Sequence, residues 1–447
     1  MLAIALCLLA FVASFLAGRR SLGKGIAVVL VFGYFYGIIR ANLLTSFSHF
    51  IFDAALLGLY LSQPWTTSDP QEKKRLQPIL AWTAVLVIWP VLLVIMPFQP
   101  WLVSLVGLRG NIYFIFLLIL GARLKAKDLV ELSVGLALLD FVALGFAGAE
   151  YFLGVPRFFP LSPVTQIMYA SNDVEGGFFR IPSTFPNAHA FGGTMVGTLP
   201  YLIGLWTGTK KHIYRILGVT AIPAALIGML LSATRLNFIL GAAMVVFVIF
   251  TTRMKNKQRF FFVLIIVAVG AVALRDVRLQ RFKTLDDTEY VTDRISGSVN
   301  RGFWEILVEY PMGNGLGGGG TSMPYFLAGE VRNPIGMENE YARILSEQGF
   351  IGLLLWLSFL AWFIFRGRTS FARGFWSTPR RLIWCMTAIG FGTAWIGVGL
   401  LTAIPGTLLI MVGMGWVAVS PEAFPASENY NLQIPFKRPQ RRSLSVR

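Results

Sequence analysis

The chain has 447 residues, of which 55% are hydrophobic and only 14% charged, with a mean hydropathy of +0.65. Soluble globular domains carry roughly 25% charged residues, so this composition excludes that class and points to a polytopic membrane protein. A net charge of +17 would suggest nucleic acid in a soluble chain, but here the placement of the charge along the sequence matters more than its amount.

Runs of about 17 to 25 apolar residues are long enough to cross the hydrocarbon core as helices. In chain order they fall at 1–18, 25–43, 49–62, 77–97, 102–122, 129–149, 188–207, 214–232, 235–252, 260–275, 350–365, 382–400 and 403–419. The fold class is therefore all-α and polytopic, with about 12–13 transmembrane helices, the third run being the shortest. The first run, MLAIALCLLAFVASFLAG, has no basic residue before it and Arg19, Arg20 and Lys24 after it. That order predicts a retained span entering from outside, not a cleaved signal. Cys7 and Cys385 sit in separate spans, so neither a disulfide framework nor a thiolate metal site has support.

Of the 39 lysines and arginines, 26 lie in seven clusters, at 19–24, 73–75, 123–127, 210–215, 253–259, 366–381 and 437–447. If each run crosses once, all seven clusters fall on one side, the pattern expected of basic cytoplasmic loops. The chain then divides into four parts. Residues 1–275 hold ten spans and a smaller extracytoplasmic loop at 150–187, and 276–349 form a large, partly helical extracytoplasmic loop. Residues 350–420 hold three more spans, and 421–447 are a basic cytoplasmic tail. Topology and anionic lipid explain that tail, and no nucleic-acid partner is required.

The other thirteen basic residues face outward or lie in the membrane, and all but Lys283 are arginine. A planar, permanently charged fork suits phosphate and diphosphate better than an ammonium does. Surface ion pairing accounts for most of them. Arg235, in the tight turn LSATRLNFIL, must lie near the membrane surface or inside a cavity, where an arginine is costly unless it is paired or lines a site. Arg180 opens RIPSTFPNAHAFGG, in which Asn187 is a plausible N-cap for the following span. The large loop reads NRGFWEILVEYPMGNGLGGGGTSM in its middle, a short amphipathic helix around Gly302 to Tyr310 ended by Pro311 and followed by glycines. Gly315, Gly317 and Gly320 match GxGxxG, but no strand precedes them, so a dinucleotide fold is rejected and a loop able to approach a ligand closely is expected.

In MENEYARILSEQGFIGLLLW, helical spacing puts Glu340, Arg343 and Glu347 on one stripe with i,i+3 and i,i+4 pairs. Glu338 falls apart from it, beside apolar neighbours. A carboxylate placed there is a candidate general base, although the first turn of a helix also favours an acid through the dipole. Asp53 and Asp140 lie within or beside spans, either as relay groups of a transporter or paired with a neighbouring arginine. His49, His189 and His212 occupy three separate regions, and the run Asp286, Asp287, Glu289 lacks the spacing of a calcium loop, so no metal ligands are assigned.

Taken in order, these elements resemble the O-antigen ligase and polymerase superfamily of bacterial integral membrane glycosyltransferases. The resemblance covers about 180 to 356. It rests on Arg180-x-x-Ser-Thr-Phe-Pro-Asn187, Ser232-x-Thr-Arg235, Asn300-Arg301-x-x-Trp304, Pro311-x-Gly-x-Gly315, and Asn339-x-Tyr341 continuing to Leu345-x-Glu347-x-Gly349-x-x-Gly352. Ligases of the family usually read His-Asn where this sequence has Glu338-Asn339, a departure that favours polymerase over ligase. The resemblance implies cofactor-free, metal-independent transfer from an undecaprenyl-diphosphate-linked glycan donor to a glycan acceptor on the outer side of the bacterial inner membrane. Glu338 would be the catalytic base, and Arg180, Arg235 and Arg301 would bind the donor diphosphate. Asn187, Asn339, Tyr341 and Arg343 would support them, with a chain-length regulator and a flippase as further partners. A lipid-linked glycan flippase or transporter is the third reading, disfavoured because polar residues crowd one face and no internal repeat is evident.

Overall fold

A computed structural model describes residues 1–170, 179–251, 302–320, 323–337, 339–367, 376–395 and 399–419, with ten scattered residues between 260 and 296. Among the described residues the regular elements are helices, with no strand. Backbone groups in a bilayer must be satisfied within their own segment, and an apolar run achieves this only as a helix. In chain order the helices are α1 (Leu2–Arg20), α2 (Leu22–Tyr34), α3 (Tyr36–Asn42), α4 (Ile51–Ser62), α5 (Pro70–Leu93), α6 (Trp101–Ile112), α7 (Leu117–Ala122) and α8 (Ala126–Leu153). There follow α9 (Gln166–Ala170), α10 (Ala188–Gly208), α11 (His212–Leu231), α12 (Arg235–Thr251), α13 (Gly302–Glu309), α14 (Glu340–Arg366), α15 (Ser377–Gly392) and α16 (Gly406–Ala418).

Among the described residues six stretches are long and apolar enough to cross a membrane, and the bent pair α2–α3 makes a seventh. The chain is an all-α polytopic membrane protein. Twelve of the thirteen apolar runs coincide with helices; the run 260–275 lies mostly outside the described residues, as does the tail 421–447. Three runs depart from a single straight crossing. Run 25–43 bends by 41° between α2 and α3. Run 102–122 is interrupted between Ile112 and Leu117, where Tyr60 Oη donates to the Tyr113 carbonyl at 2.5 Å. Run 403–419 yields only 13 helical residues because Pro405 stands just before α16. At 1.5 Å per residue that is roughly 20 Å, short of the ~30 Å core.

The core is built around α10, which is buried along nearly its whole length and packs against α8, α11, α12, α15 and α16. By contrast α1 turns Leu8, Leu9, Val12 and Leu16 outward, as a lipid-facing helix should. Close helix crossings rely on glycine. A Cβ on Gly121 would collide with the Val412 carbonyl, and one on Gly415 with the Leu118 carbonyl, so α7 and α16 meet backbone to backbone. Two ends of the bundle can be told apart by their contacts. At one end basic turns gather: Lys24 and Lys127 pair with Glu131, Arg123 with Glu72, and Arg380 donates to the Trp416 and Val417 carbonyls. At the other end lie residues 37–53, 154–170, 179–189, 232–237, 302–320, 323–337, 339–340, 393–395 and 399–405.

Because the α7–α16 crossing has no room for a side chain, Gly121→Leu and Gly415→Leu are each expected to cost about 1–3 kcal/mol and to lower the melting temperature of detergent-solubilised protein. Gly145→Ala, on a face where nothing lies within 4 Å, should leave it unchanged.

Candidate functional site

The polar start of α14 folds as a cap and a buried ion network. Asn339 caps the helix, its Oδ1 accepting from the Ala342 N–H at 2.5 Å. Tyr341 donates its hydroxyl to the Phe391 carbonyl at 2.6 Å, and its ring lies 4.6 Å from that of Trp395. Arg343 is only 1% exposed. Its Nε donates to Glu340 Oε1 at 2.6 Å, and Nη1 donates to Glu347 Oε2 at 3.0 Å and to Asn111 Oδ1 at 3.1 Å. Asn111 donates in turn to Glu347 Oε2 at 2.6 Å, and Gln348 donates to Asn111 Oδ1 at 2.8 Å. The second oxygen of Glu340 accepts from the Gly399 N–H at 2.7 Å. Thus the i,i+3 and i,i+4 pairs form as the spacing requires, but in the protein interior. With its guanidinium committed to two carboxylates, Arg343 holds the helix start in place.

Gly349, at φ 69° and ψ −174°, breaks α14 between this polar turn and the apolar span. A residue with a Cβ is strained at that φ, and the Cβ would also meet the Met312 backbone. The neighbouring glycine run corrects an expectation. Gly313, Gly315, Gly317 and Gly320 all have positive φ, but residues 313–319 are packed against protein, and of the four only Gly320 is exposed. Gly317 lies against the Gly107 position of α6, and Asn314 N–H donates to the Ser346 carbonyl at 2.6 Å. A Cβ on Gly319 would come within 3.0 Å of Glu347 Oε1. The glycines let the loop close over the ion network.

A second constellation forms around the segment 179–189. Ser183 adopts φ 53°, held by its N–H to Glu150 Oε2 at 2.8 Å and its hydroxyl to the Ala143 carbonyl at 2.7 Å. The Thr184 carbonyl accepts from Ile38 N–H at 3.0 Å, and the Phe185 backbone fits against Gly37. These anchors fix the chain on either side, and Asn187 caps α10 through the Ala190 N–H at 2.8 Å. Arg180 Nη1 lies 2.8 Å from His189 Nε2, while Asn237 Nδ2 donates to the His189 carbonyl at 3.2 Å and to Thr234 Oγ1 at 2.9 Å. Arg235 begins α12 two residues before Asn237. Gly192 permits the crossing, since a Cβ there would strike Ser232 Oγ and Thr234 Oγ1. The Arg180 segment and the start of α12, where Arg235 stands, therefore border one polar patch at this end of the bundle.

Glu338 and Arg301 lie outside the described residues, as do residues 171–178 and the acidic run at 286–287. The residues that follow them meet at Trp395, whose ring is 5.0 Å from Phe303 and 4.6 Å from Tyr341. Beside α13 a cleft of about 200 Å³ is lined by Glu305, Glu309, Tyr310 and Asn333. Asp53 makes a bidentate pair with Arg109, both contacts at 2.7 Å, and Asp140 accepts from Tyr34 Oη at 2.7 Å. Among the described residues no three His, Cys, Asp or Glu side chains gather as a metal site. Sequence reasoning named His189 only as one of three scattered histidines, and it missed Asn237 and Asn111. His189 and Asn237 stand inside segments already quoted, and Asn111 is a lone amide among the apolar residues of its run.

Removing one partner from a buried ion network strands the others, at a cost of about 3–5 kcal/mol. Arg343→Met should accordingly abolish a monodisperse folded species in size-exclusion chromatography. The triple change Glu340→Gln, Arg343→Met and Glu347→Gln, which leaves no stranded charge, should recover much of it. Compared with known proteins, the chain matches no family model and no curated protein sequence, so its function has to be argued from this geometry.

Proposed function

We propose that the protein is a membrane glycosyltransferase of the O-antigen ligase and polymerase kind, which lengthens a glycan carried on undecaprenyl diphosphate. The observation that carries this reading is the contact of Arg180 with His189, whose carbonyl accepts from Asn237 two residues after Arg235. That contact brings two arginine-bearing segments 55 residues apart together at the bundle end away from the basic turns. Two guanidinium groups at the lip of a membrane bundle suit a diphosphate that is fixed to a lipid and presented at the bilayer surface. If the basic turns face the cytoplasm, the patch faces the outer side of the bacterial inner membrane.

In the reaction, the bond between the donor sugar's anomeric carbon and the diphosphate oxygen breaks, and a bond from an acceptor hydroxyl oxygen to that carbon forms. The acceptor proton passes to a base, for which Glu338 is the candidate by its place just before the Asn339 cap. The diphosphate leaves on its polyprenyl carrier, its growing negative charge stabilised by Arg180 and Arg235, with Arg301 as the third candidate. The buried network at Arg343 would keep the chain next to Glu338 rigid, which positions a base without touching substrate.

The test is a reconstituted assay with a purified undecaprenyl-diphosphate oligosaccharide as sole substrate, read as a ladder on a gel. Wild type should give a ladder, and Arg180→Ala and Arg235→Ala should lower its rate by about 10²–10³-fold. Glu338→Gln should lose it while inserting normally. A full ladder from these variants would overturn the site. No ladder, with transfer instead to an added lipid A core, would make the protein a ligase.

A further inference from the structure

Another cation at the same end of the bundle is unused by the proposed reaction. Arg40, near the end of α3, has no carboxylate within ion-pair distance among the described residues, and its Nε is buried without a hydrogen-bond partner. Its guanidinium carbon stands 5.0 Å from the ring centroid of Tyr36, and Tyr36 donates its hydroxyl to the His49 carbonyl at 2.9 Å. Arg109 belongs to the same cluster, its guanidinium carbon 5.7 Å from the ring centroid of Phe50, which follows His49 in the chain. Asp53, the acid nearest this group, already binds Arg109 through both oxygens. The cluster thus holds two arginines and one neutralised carboxylate position, an excess of one positive charge. His49 is itself buried, its Nε2 unbonded, with the rings of Tyr325 and Phe326 each 5.6 Å from its own.

This cluster is distinct from the Arg180 patch. Gly37, Ile38, Ala41 and Asn42 of α3 face the segment 155–185, through the Ile38 bond to Thr184, the Asn42 bond to the Phe158 carbonyl and the packing of Ile38 and Ala41 near Phe179. Tyr36 and Arg40 lie on the other side of that short helix, toward His49 and Arg109. An arginine at membrane depth without a counter-charge is costly unless an anion completes it. The aromatic ring beneath it offsets only part of that cost.

We infer that Arg40, backed by the Arg109–Asp53 pair, is an oxyanion subsite that binds a lipid-borne phosphate. Guanidinium recognises phosphate through paired N–H donors, and a helix end at the bilayer lip reaches phosphates attached to lipid. The phosphate could be that of a polyprenyl carrier or that of a bilayer headgroup. The subsite stands whether or not the protein transfers sugars.

Removing Arg40 strands no acid, because Asp53 keeps Arg109, so Arg40→Gln should fold. Full-length wild type, Arg40→Gln, Arg40→Lys and Arg180→Gln would be placed in phosphatidylcholine nanodiscs doped with either undecaprenyl diphosphate or phosphatidylglycerol, and bound lipid counted by native mass spectrometry. Arg40→Gln should reduce retention of at least one phosphate-bearing probe about tenfold, Arg40→Lys should keep part of it, and Arg180→Gln should leave the Arg40-dependent retention in place. A loss confined to undecaprenyl diphosphate makes the occupant a carrier, and a loss confined to phosphatidylglycerol makes it a headgroup. Retention of both probes by Arg40→Gln at the wild-type level would overturn the subsite. Loss of the carrier in Arg180→Gln while Arg40→Gln keeps both probes at the wild-type level would overturn the subsite and leave the proposed function intact.

Discussion

A buried arginine cannot be left without acceptors for its N–H groups, and the arrangement of the loop-bearing end of this protein follows from that constraint at Arg343, whose acceptors include two carboxylates. Its side chain is enclosed between Glu340 and Glu347, with Asn111 shared between the guanidinium and the second carboxylate. Desolvating three charges is unfavourable unless their geometry is nearly complete, and each bond that completes it ties in another element. Asn111 fixes α6, Gly399 and Ala394 fix the chain after α15, and the glycine loop closes above Glu347. The network therefore acts as the joint where α6, α14 and the segment 310–320 are held in register.

That joint gives the bundle end a rigid side and an open side. On the rigid side the caps at Asn339 and Asn187 set where α14 and α10 begin, which in turn sets where the chains before them must run. On the open side stand arginines that the fold does not consume in the same way. Arg180 contacts His189 beside the start of α12, which carries Arg235, and Arg40 stands over Tyr36 across the short helix α3. Arg109 belongs with Arg343, since Asp53 neutralises it.

The sharp turns are placed where this division needs them. Gly349 lets α14 change from a polar turn to a span without losing its continuity, and Ser183, held at positive φ by Glu150 and Ala143, lets the chain fold back to deliver Arg180 beside α10. Such positions are uncommon for a residue other than glycine and persist only where surrounding bonds over-determine them.

What the sequence determined by itself was the class of protein and the positions of its helices. Twelve apolar runs became helices because the period and polarity that define them are local properties, and a chain in hydrocarbon has few other ways to satisfy its backbone. The cap Asn187, the amphipathic helix before Pro311 and the pairs Glu340–Arg343 and Arg343–Glu347 were legible for the same reason, since each involves residues within one turn or two. Only the tertiary structure decided which charges are used up. Whether Arg343 faces solvent or Asn111, whether Asp53 is a relay or the partner of Arg109, and whether the glycine run meets a ligand or Gly107 are questions of contact between distant segments. No periodicity encodes these contacts, because burial and pairing depend on what another helix brings to the same place.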